Sequence, residues 1–216
     1  MAPRAPTKSI DLDPVKPPRT RGRPRHSETD VAINKSIIKL LADVGYQKLS
    51  YDQVAQMAGA TRPTVYLRGS NKVLLVLGAL IERYGIDPTP DTGSIATDLQ
   101  ELQKSQIRFW NDPVIAGLFP GLLADISNDR QLAETWWQSF IAPRRASTGR
   151  ALDRAKQRGE LPASLDTEWI CDLLTGPLIC RAFLGGYRRL PESLAAETVK
   201  IVLETYVHGP KRANAG

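Results

Sequence analysis

The stretch at positions 50–69, SYDQVAQMAGATRPTVYLRG, decides the fold of the first third of this chain. Ser50 and Thr61 are residues that typically cap a helix N-terminus, because their hydroxyl oxygens accept a hydrogen bond from a free backbone N–H. Gly59 breaks the pattern between them, and Pro63 falls in a first helical turn, where its missing N–H costs little. The stretch therefore predicts two short helices joined by a tight turn.

The spacing within these two helices is that of a helix-turn-helix. Counting from position 51, a small residue comes fifth (Ala55), a glycine ninth (Gly59) and an apolar residue fifteenth (Val65). The small residue lets the helices cross closely, the glycine accepts a positive φ, and the apolar side chain fixes the crossing angle. Such a unit places its second helix in the major groove, so the spacing predicts a DNA-binding head.

Two further helices flank this pair. Apolar residues recur at helical spacing over 33–44, after a cap-forming run at 27–30, and Gly45 ends the pattern. Asn71 is expected to cap a helix that follows the pair and ends before Gly85. The head therefore contains three helices, with a fourth leading out of it.

The remainder of the chain also shows helical periodicity and no β alternation. Prolines at 120, 143 and 177 are expected to kink or split three of its helices. The pattern predicts an all-α protein in which the helix-turn-helix head is followed by a larger helical bundle. The expected helices of the bundle lie at 94–110, 113–127, 129–157, 166–184 and 191–207.

The run from Ile33 to Leu75 resembles the N-terminal domain of the TetR family of bacterial repressors. The matching features are, in order, Gly45-Tyr46, Ser50, Val54-Ala55, Ala58-Gly59, Thr61, Thr64-Val65-Tyr66 and Lys72. The chain departs from the family pattern at Pro63, Gly69 and Ser70. The resemblance implies a C-terminal helical bundle that binds a ligand and forms the dimer.

Three segments with different charge are expected along the chain: a disordered basic arm at 1–26, a helix-turn-helix DNA-binding domain at 27–85, and a ligand-binding and dimerisation domain at 86–210. Residues 1–85 hold 14 Lys/Arg and 7 Asp/Glu, whereas residues 86–216 hold 15 and 16. All of the excess positive charge therefore lies in the first two segments. Such an asymmetry indicates that they bind a polyanion such as double-stranded DNA.

The second helix of the motif is expected to present its first residues to base edges. Arg62 can donate bidentately to guanine, and Pro63 and Thr64 can contact a base or a thymine methyl group. The other candidates for DNA contact, mainly through phosphates, are Ser50, Tyr51, Thr61, Tyr66, Arg68 and Lys72. An alternative stays open, in which the two capping hydroxyl residues only cap and Tyr66 only packs.

The arm at 1–26 contains six prolines and seven Lys/Arg. A segment of this composition cannot bury enough apolar surface to fold by itself. Within it, RGRPR at 21–25 resembles the core of an AT-hook, in which arginines such as Arg21 and Arg23 enter a narrow A·T-rich minor groove. The alternative is a solvated basic tail that adds affinity without sequence preference.

All four tryptophans and all four phenylalanines lie in the second half of the chain. They are expected to line a mostly apolar pocket for a small effector, although ordinary core packing explains the same residues. The candidate pocket residues are Phe109, Trp110, Leu118, Phe119, Leu122, Trp136, Trp137, Phe140, Trp169 and Arg181. The last two helices are the expected dimer surface, through Leu173, Leu174, Leu178, Ala182, Leu194, Val199, Val202 and Leu203.

Other classes of protein have little support in the sequence. No apolar stretch approaches the roughly 20 residues of a membrane span, and no secretory signal follows the basic N-terminus, so a cytoplasmic location is expected. Phosphate loops, nucleophile motifs and metal-ligand clusters are also missing, so neither an enzyme nor a cofactor or metal site is expected. The sequence predicts a homodimeric, ligand-responsive regulator of a palindromic operator, and the resemblance favours a repressor. The alternative is a ligand-independent or architectural DNA-binding protein.

Deleting residues 1–25 is expected to leave the remaining fold intact and to weaken DNA binding, because the arm supplies phosphate contacts but no core. The loss should be larger on operators with A·T-rich flanks than on operators with G·C-rich flanks, because arginine favours the narrow minor groove. Fluorescence anisotropy on both kinds of duplex, at one salt concentration, measures the difference. An equal loss of affinity on both kinds of duplex would support the alternative, in which the arm is a solvated basic tail without sequence preference.

Overall fold

The computed structural model describes residues 28–86, 89–185 and 189–206, and these residues form helices and loops without a β-strand. The all-α expectation is confirmed. The predicted basic arm at 1–26 lies outside the described residues. Within them, no helix is both long enough and apolar enough to cross a membrane.

Four helices form the N-terminal head: α1 (Glu28–Lys48), α2 (Tyr51–Ala58), α3 (Arg62–Tyr66) and α4 (Lys72–Tyr84). Six α-helices follow in the described residues of the bundle. They are α5 (Ile95–Trp110), α6 (Pro113–Ser127), α7 (Arg130–Trp136), α8 (Ala142–Gln157), α9 (Thr167–Ile179) and α10 (Ser193–Tyr206). Two π-helical segments extend this framework, Trp137–Ile141 after α7 and Cys180–Leu184 after α9.

The caps predicted for the helix-turn-helix are present. The Ser50 hydroxyl oxygen accepts a hydrogen bond from the N–H of Gln53 (3.3 Å), while Oε1 of Gln53 accepts one from the N–H of Ser50 (3.0 Å). Gly59 ends α2 in the left-handed region with φ 62°. Thr61 then caps α3 by accepting from the N–H of Thr64 at 3.3 Å. The turn between α2 and α3 therefore depends on local chemistry.

Gly45 interrupts α1 with φ 77° and ψ 171°, and the chain changes direction there. The turn places the side chain of Tyr46 in the core, where it is 1 % exposed and its hydroxyl donates to Asp125 on α6 (2.5 Å). On the same helix, a Cβ atom at Gly121 would stand 2.7 Å from Cδ1 of Tyr46. The close packing of α1 on α6 therefore requires a residue without a side chain at position 121.

One hydrophobic core joins the head to part of the bundle. It contains Ile33 and Val76 from the head together with Ile115 and Leu122 from α6, and each of these side chains is at most 1 % exposed. A second cluster packs α5, α8, α9 and α10 against one another. Because the head shares a core with α6, its position relative to the bundle is fixed by apolar packing.

The helix predicted at 129–157, with a kink or split at Pro143, is present as α7 and α8 with a π-helical segment between them. Pro143, in the first turn of α8, has no N–H to donate, and the N–H of Ala142 reaches back five residues to the carbonyl of Trp137. The break predicted at Pro177 corresponds to the second π-helical segment, which follows three residues later. The proline at position 120 leaves α6 undivided.

The outward face of the last two helices differs from the predicted dimer surface. Six of the eight side chains proposed for that surface are buried within the single chain and cannot meet a partner: Leu174, Leu178, Ala182, Leu194, Val199 and Val202. The exposed apolar side chains are instead Trp169 (50 % exposed), Leu184 (83 %) and Ile201 (63 %). The error arises because helical periodicity identifies apolar positions without showing which neighbour covers them.

Gly69 lies buried in the segment between α3 and α4, where an added Cβ atom would stand 2.2 Å from the backbone nitrogen of Leu75. Gly69→Ala is therefore expected to lower the free energy of unfolding by about 3 kcal/mol, because backbone must move to make room. The control is Gly78→Ala within α4, where a Cβ atom would meet nothing within 4 Å. It should raise the free energy of unfolding by about 0.5–1 kcal/mol. Urea denaturation measures both, and equal small effects would contradict the contact at Gly69.

Candidate DNA-binding interface and ligand cavity

The outer face of α3 carries four of the side chains predicted to contact DNA. Val65 is fully buried and fixes the helix on the core. Arg62, Pro63 and Tyr66 are exposed, and Thr64 is half-buried. The structure therefore brings these four residues together on one short, accessible helix whose capped N-terminus lies next to them.

Tyr51 and Tyr66 form an aromatic pair beside this helix, with ring centroids 5.4 Å apart. The hydroxyl of Tyr51 donates to the carbonyl of Gly69 at 2.8 Å, and burial raises the pKa of Tyr51. Tyr66 is 52 % exposed. Tyr51 therefore holds the turn after α3 in place, whereas Tyr66 packs on it and stays accessible.

Two arginines of the helix-turn-helix form ion pairs with carboxylates of α1 and α2. Arg62 donates to Asp52 at 3.2 Å, and both side chains are more than 60 % exposed. An exposed pair of this kind contributes about 0–1 kcal/mol, so Arg62 can exchange its carboxylate partner for a base or phosphate at little cost. Arg68 pairs with Asp30 near the start of α1, and that carboxylate side chain is only 15 % exposed. Arg68 therefore also holds the end of the motif against α1.

Lys72 has a structural role that the sequence did not predict. Its Nζ donates to the carbonyl oxygens of Tyr46 (3.3 Å) and Gln47 (3.2 Å) at the end of α1. It also lies 5.0 Å from the centroid of the Tyr46 ring. Lys72 therefore connects the start of α4 to the end of α1. The two arm residues proposed for DNA contact, Arg21 and Arg23, lie outside the described residues.

A cavity of about 670 Å³ lies within the bundle and reaches the end of α4. Five of the predicted pocket residues line it: Phe109, Trp110, Phe119, Trp136 and Phe140. The ring of Trp110 makes edge-to-face contacts with both Phe109 and Phe119, each with centroids 4.9 Å apart. Ligand sites in proteins typically enclose roughly 300–1,000 Å³ with apolar and aromatic walls. The cavity therefore has the size and lining of a small-molecule site.

The other pocket candidates do not line this cavity. Leu118 and Leu122 are buried in the core that the bundle shares with the head. Trp137 is 42 % exposed, on the surface beside Arg145. Trp169 is also exposed and donates its indole N–H to the hydroxyl of Tyr206, and Arg181 is exposed. The direction in which each of these side chains points depends on the π-helical segments and on the helices packed nearby. Neither can be predicted from the spacing of apolar residues in the sequence.

The polar groups of the cavity wall were missed by sequence reasoning. The guanidinium carbon of Arg144 lies 3.5 Å from the centroid of Phe140, and the group donates to the carbonyls of Phe140 (2.8 Å) and Gly85 (2.5 Å). Because Gly85 ends α4, Arg144 connects the cavity wall to the head. Gln106 and Thr175 add neutral polar groups, joined by a 3.3 Å hydrogen bond. The sequence offered one signal for Arg144, the preceding Pro143, which predicted a helix break at this place.

Asp112 connects the cavity wall to α4 from the other side. Its Oδ1 accepts from the N–H of Val114 (2.9 Å) and so caps α6, while its Oδ2 accepts from Arg83 of α4 (3.0 Å). Burial raises the pKa of Asp112, but the hydrogen bonds from Arg83 and Val114 outweigh it and hold the pKa below its usual range. Asp112 is therefore an ionised carboxylate at neutral pH that joins α4 to the start of α6.

Residues 89–202 match the family model of the tetracyclin repressor-like, C-terminal domain. Over 168 residues the chain is 31 % identical to the HTH-type transcriptional regulator YdeS of Bacillus subtilis, covering 77 % of this chain and 84 % of that protein. It is 30 % identical over 151 residues to the DNA-binding transcriptional repressor TetR of Mycobacteroides abscessus, covering 69 % of this chain and 79 % of that one.

Solved structures show the same fold. The crystal structure of the TetR family transcription regulator SCO0332 superposes with a TM-score of 0.67 at 22 % identity, covering 82 % of this chain and 98 % of that one. A TetR transcriptional regulator from Agrobacterium tumefaciens superposes with a TM-score of 0.66 at 16 % identity, covering 83 % and 95 %. At sequence identities this low, the similarity to these two structures shows that the fold is shared.

Lys72→Met is expected to lower the free energy of unfolding by about 1–2 kcal/mol, because two carbonyl oxygens at the end of α1 lose a charged donor while the apolar stem is kept. The control is Lys39→Met, which removes the same charge from an exposed pair with Asp43 (3.1 Å). That change should cost less than about 0.5 kcal/mol. Urea denaturation of both variants measures the difference, and equal losses would show that Lys72 does not hold α1.

Proposed function

The chain belongs to the TetR family of DNA-binding transcriptional regulators, and from this premise we propose that it is a repressor that a small molecule releases from its operator. One observation carries the proposal: the wall of the 670 Å³ cavity includes Tyr84, Gly85 and Ile86 at the end of α4. The same helix begins at Lys72, directly after the helix-turn-helix. A single element therefore connects the DNA-facing motif with the cavity.

Release follows from the contacts at the end of α4. A ligand that displaces Tyr84, or weakens the pair between Arg83 and Asp112, shifts α4 and with it the recognition helix α3. In a dimer the two recognition helices must match major-groove positions about one helical turn, roughly 34–36 Å, apart. The ligand shifts this equilibrium only by the difference in its affinity for the two forms. Ligand-responsive repression is typical of the family.

For the operator, we assign base contacts to Arg62, Pro63 and Thr64 and a mainly phosphate-binding role to Ser50, Tyr51, Thr61, Tyr66, Arg68 and Lys72. The exposure of α3 and the weak surface pairing of Arg62 support the first group. The free N–H groups at the starts of α2 and α3 support the second, because they attract anions. Arg21 and Arg23 complete the assignment as minor-groove contacts, on the sequence of the arm alone.

Members of this family typically dimerise, and we assign the interface to the outward faces of α9, the π-helical segment that follows it, and α10. Trp169, Pro177, Leu184 and Ile201 are exposed there, which leaves an apolar surface on the single chain. The occupant is a second copy of the chain, because a two-fold dimer presents two recognition helices to a palindromic operator. The dimer therefore uses the sides of these helices that face away from the chain's own core.

The cavity also bears on the rival functions. A ligand-independent or architectural DNA-binding protein needs no cavity, so the aromatic-walled space supports a ligand-responsive repressor over that alternative. Catalysis forms no part of the proposal, because the relatives named above are transcriptional regulators. The effector is a small molecule with a substantial apolar part, since five aromatic side chains predicted from the sequence line the cavity.

Arg62→Ala is expected to weaken operator binding by about 1–3 kcal/mol and to relax discrimination at one base pair. The companion variant Asp52→Asn should keep or strengthen binding, because it frees Arg62 and removes a negative charge near the phosphates. Anisotropy titrations on single-base-pair variants of a duplex selected from random sequences measure both. A uniform loss across all duplexes would make Arg62 a phosphate contact, and no loss would remove it from the interface.

Ile201→Glu is expected to convert a dimer into a monomer at micromolar concentration, because it places an unpaired charge in an apolar interface. The fold of each chain should persist, because this side chain is 63 % exposed in the single chain. The control is Leu123→Glu on α6, at a position that is 40 % exposed and outside the proposed interface. Analytical ultracentrifugation distinguishes the two states. A dimer that survives both Ile201→Glu and Leu184→Glu would place the interface elsewhere.

A further inference from the structure

We propose that the effector is an amphiphilic anion, whose apolar body occupies the aromatic cavity and whose anionic head is held by Lys104, Arg108 and Arg189 in an adjoining groove. The inference rests on the proposed function, because it names the chemical class of the releasing molecule. The groove has a volume of about 620 Å³ and lies between the second half of α5, the start of α6 and the segment before α10.

The three basic side chains of the groove are available for an anion. Lys104 and Arg108 lie one helical turn apart on α5, where side chains share a face, and Arg189 reaches the same groove from the segment before α10. All three are exposed. In the part of the chain that the structure describes, none of them forms a salt bridge. Among the described residues, no carboxylate therefore pairs with these three charges.

The two acidic side chains of the groove do not cancel this charge. Asp112 is paired with Arg83 on α4 and so has its own cation. Glu192 is the other carboxylate in the groove wall, against three cations. The groove therefore keeps an excess of positive charge, and charge-assisted hydrogen bonds from arginine and lysine are the common way in which proteins hold carboxylates, sulfonates and phosphates.

The groove and the aromatic cavity meet at Arg108 and Asp112, which line both. The geometry of α5 explains this arrangement, because successive residues of a helix are rotated by about 100°. Ser105 and Phe109 line the cavity, Lys104 lines the groove, and Arg108 lies at the boundary and lines both. A ligand with its apolar part among the rings can therefore place a charged end beside Arg108.

An anionic head at this place also acts on α4. Asp112 lines both spaces, and its carboxylate pairs with Arg83 of α4 at 3.0 Å. An anion there repels the carboxylate of Asp112 and attracts Arg83, so it weakens the contact that joins α4 to α6. The head group thus adds to the difference in affinity for the two positions of α4 that an apolar body in the cavity already produces.

The test uses two fluorescent probes that differ by one anionic group, 8-anilinonaphthalene-1-sulfonate and the neutral N-phenyl-1-naphthylamine. With the full-length protein, the sulfonate should bind about tenfold more weakly to the variant Lys104→Gln/Arg108→Gln/Arg189→Gln than to the wild type, because three partly exposed charge contacts are lost. The neutral probe should bind both proteins equally within about twofold. An unchanged affinity for the sulfonate in the triple variant would overturn the inference.

The matched control is Lys39→Gln/Arg130→Gln/Lys200→Gln, which removes the same total charge from exposed positions outside the groove. It should leave the affinity for both probes unchanged. An equal weakening of sulfonate binding in the two triple variants would assign the effect to net charge and overturn the groove as the site of the head.

Competition against the bound sulfonate tests the class of molecule directly and identifies the head. Laurate or lauryl phosphate should displace it at about tenfold lower concentration than lauryl alcohol, which has the same chain without the charge. Whichever of the two anions displaces the sulfonate at the lower concentration identifies the head group as a carboxylate or a phosphate. Displacement by the alcohol at the same concentration as both acids would contradict the proposal.

Two cavity-filling variants, Thr175→Trp and Gln106→Trp, separate failure of this inference from failure of the proposed function, since both residues line the aromatic cavity. Each should weaken binding of the neutral probe. If they do so while the groove variant leaves sulfonate binding unchanged, only the anionic head is wrong. If neither affects either probe, the cavity holds no ligand and the proposed function fails with the inference.

Discussion

Where α1 meets α6, Gly121 leaves room for the buried ring of Tyr46, and the tyrosine hydroxyl donates to Asp125 one turn further along α6. The positive φ of Gly45 turns the chain into this contact. Because of it, the DNA-binding helices and α6 share one hydrophobic core. A head that packed separately would be a small domain on a linker, and a change in the cavity could not reach it through packed side chains.

α4 connects the two functions because each of its ends is held by specific contacts. At its start, Lys72 donates to the last carbonyls of α1. At its end, Arg83 donates to Asp112, and the carbonyl of Gly85 accepts from Arg144. The contacts at the start are with the head, and those at the end are with the cavity wall. In the proposed mechanism, the ligand therefore acts on the end of a helix whose start is held to α1 in the head.

The features that the sequence predicted well are those that depend on neighbours along the chain. The caps at Ser50 and Thr61 and the turn at Gly59 follow from backbone chemistry within four residues. The features it missed depend on tertiary contacts. Trp169 is apolar and helical like Trp110, yet only the second lines the cavity, because the direction of each side chain depends on how its helix packs. The same limit explains why buried leucines of α9 and α10 were assigned to the dimer surface.

In the proposed mechanism, occupation of the cavity and binding of the operator oppose each other through α4. The most direct measurement is the affinity for N-phenyl-1-naphthylamine, followed by probe fluorescence, with and without a saturating operator duplex selected from random sequences. Thermodynamic reciprocity requires the operator to weaken probe binding by the same factor by which the probe weakens operator binding. We predict a matching loss of about five- to tenfold or more in both titrations, as for coupling energies of about 1–3 kcal/mol. Identical affinity for the probe with and without the operator would contradict the coupling.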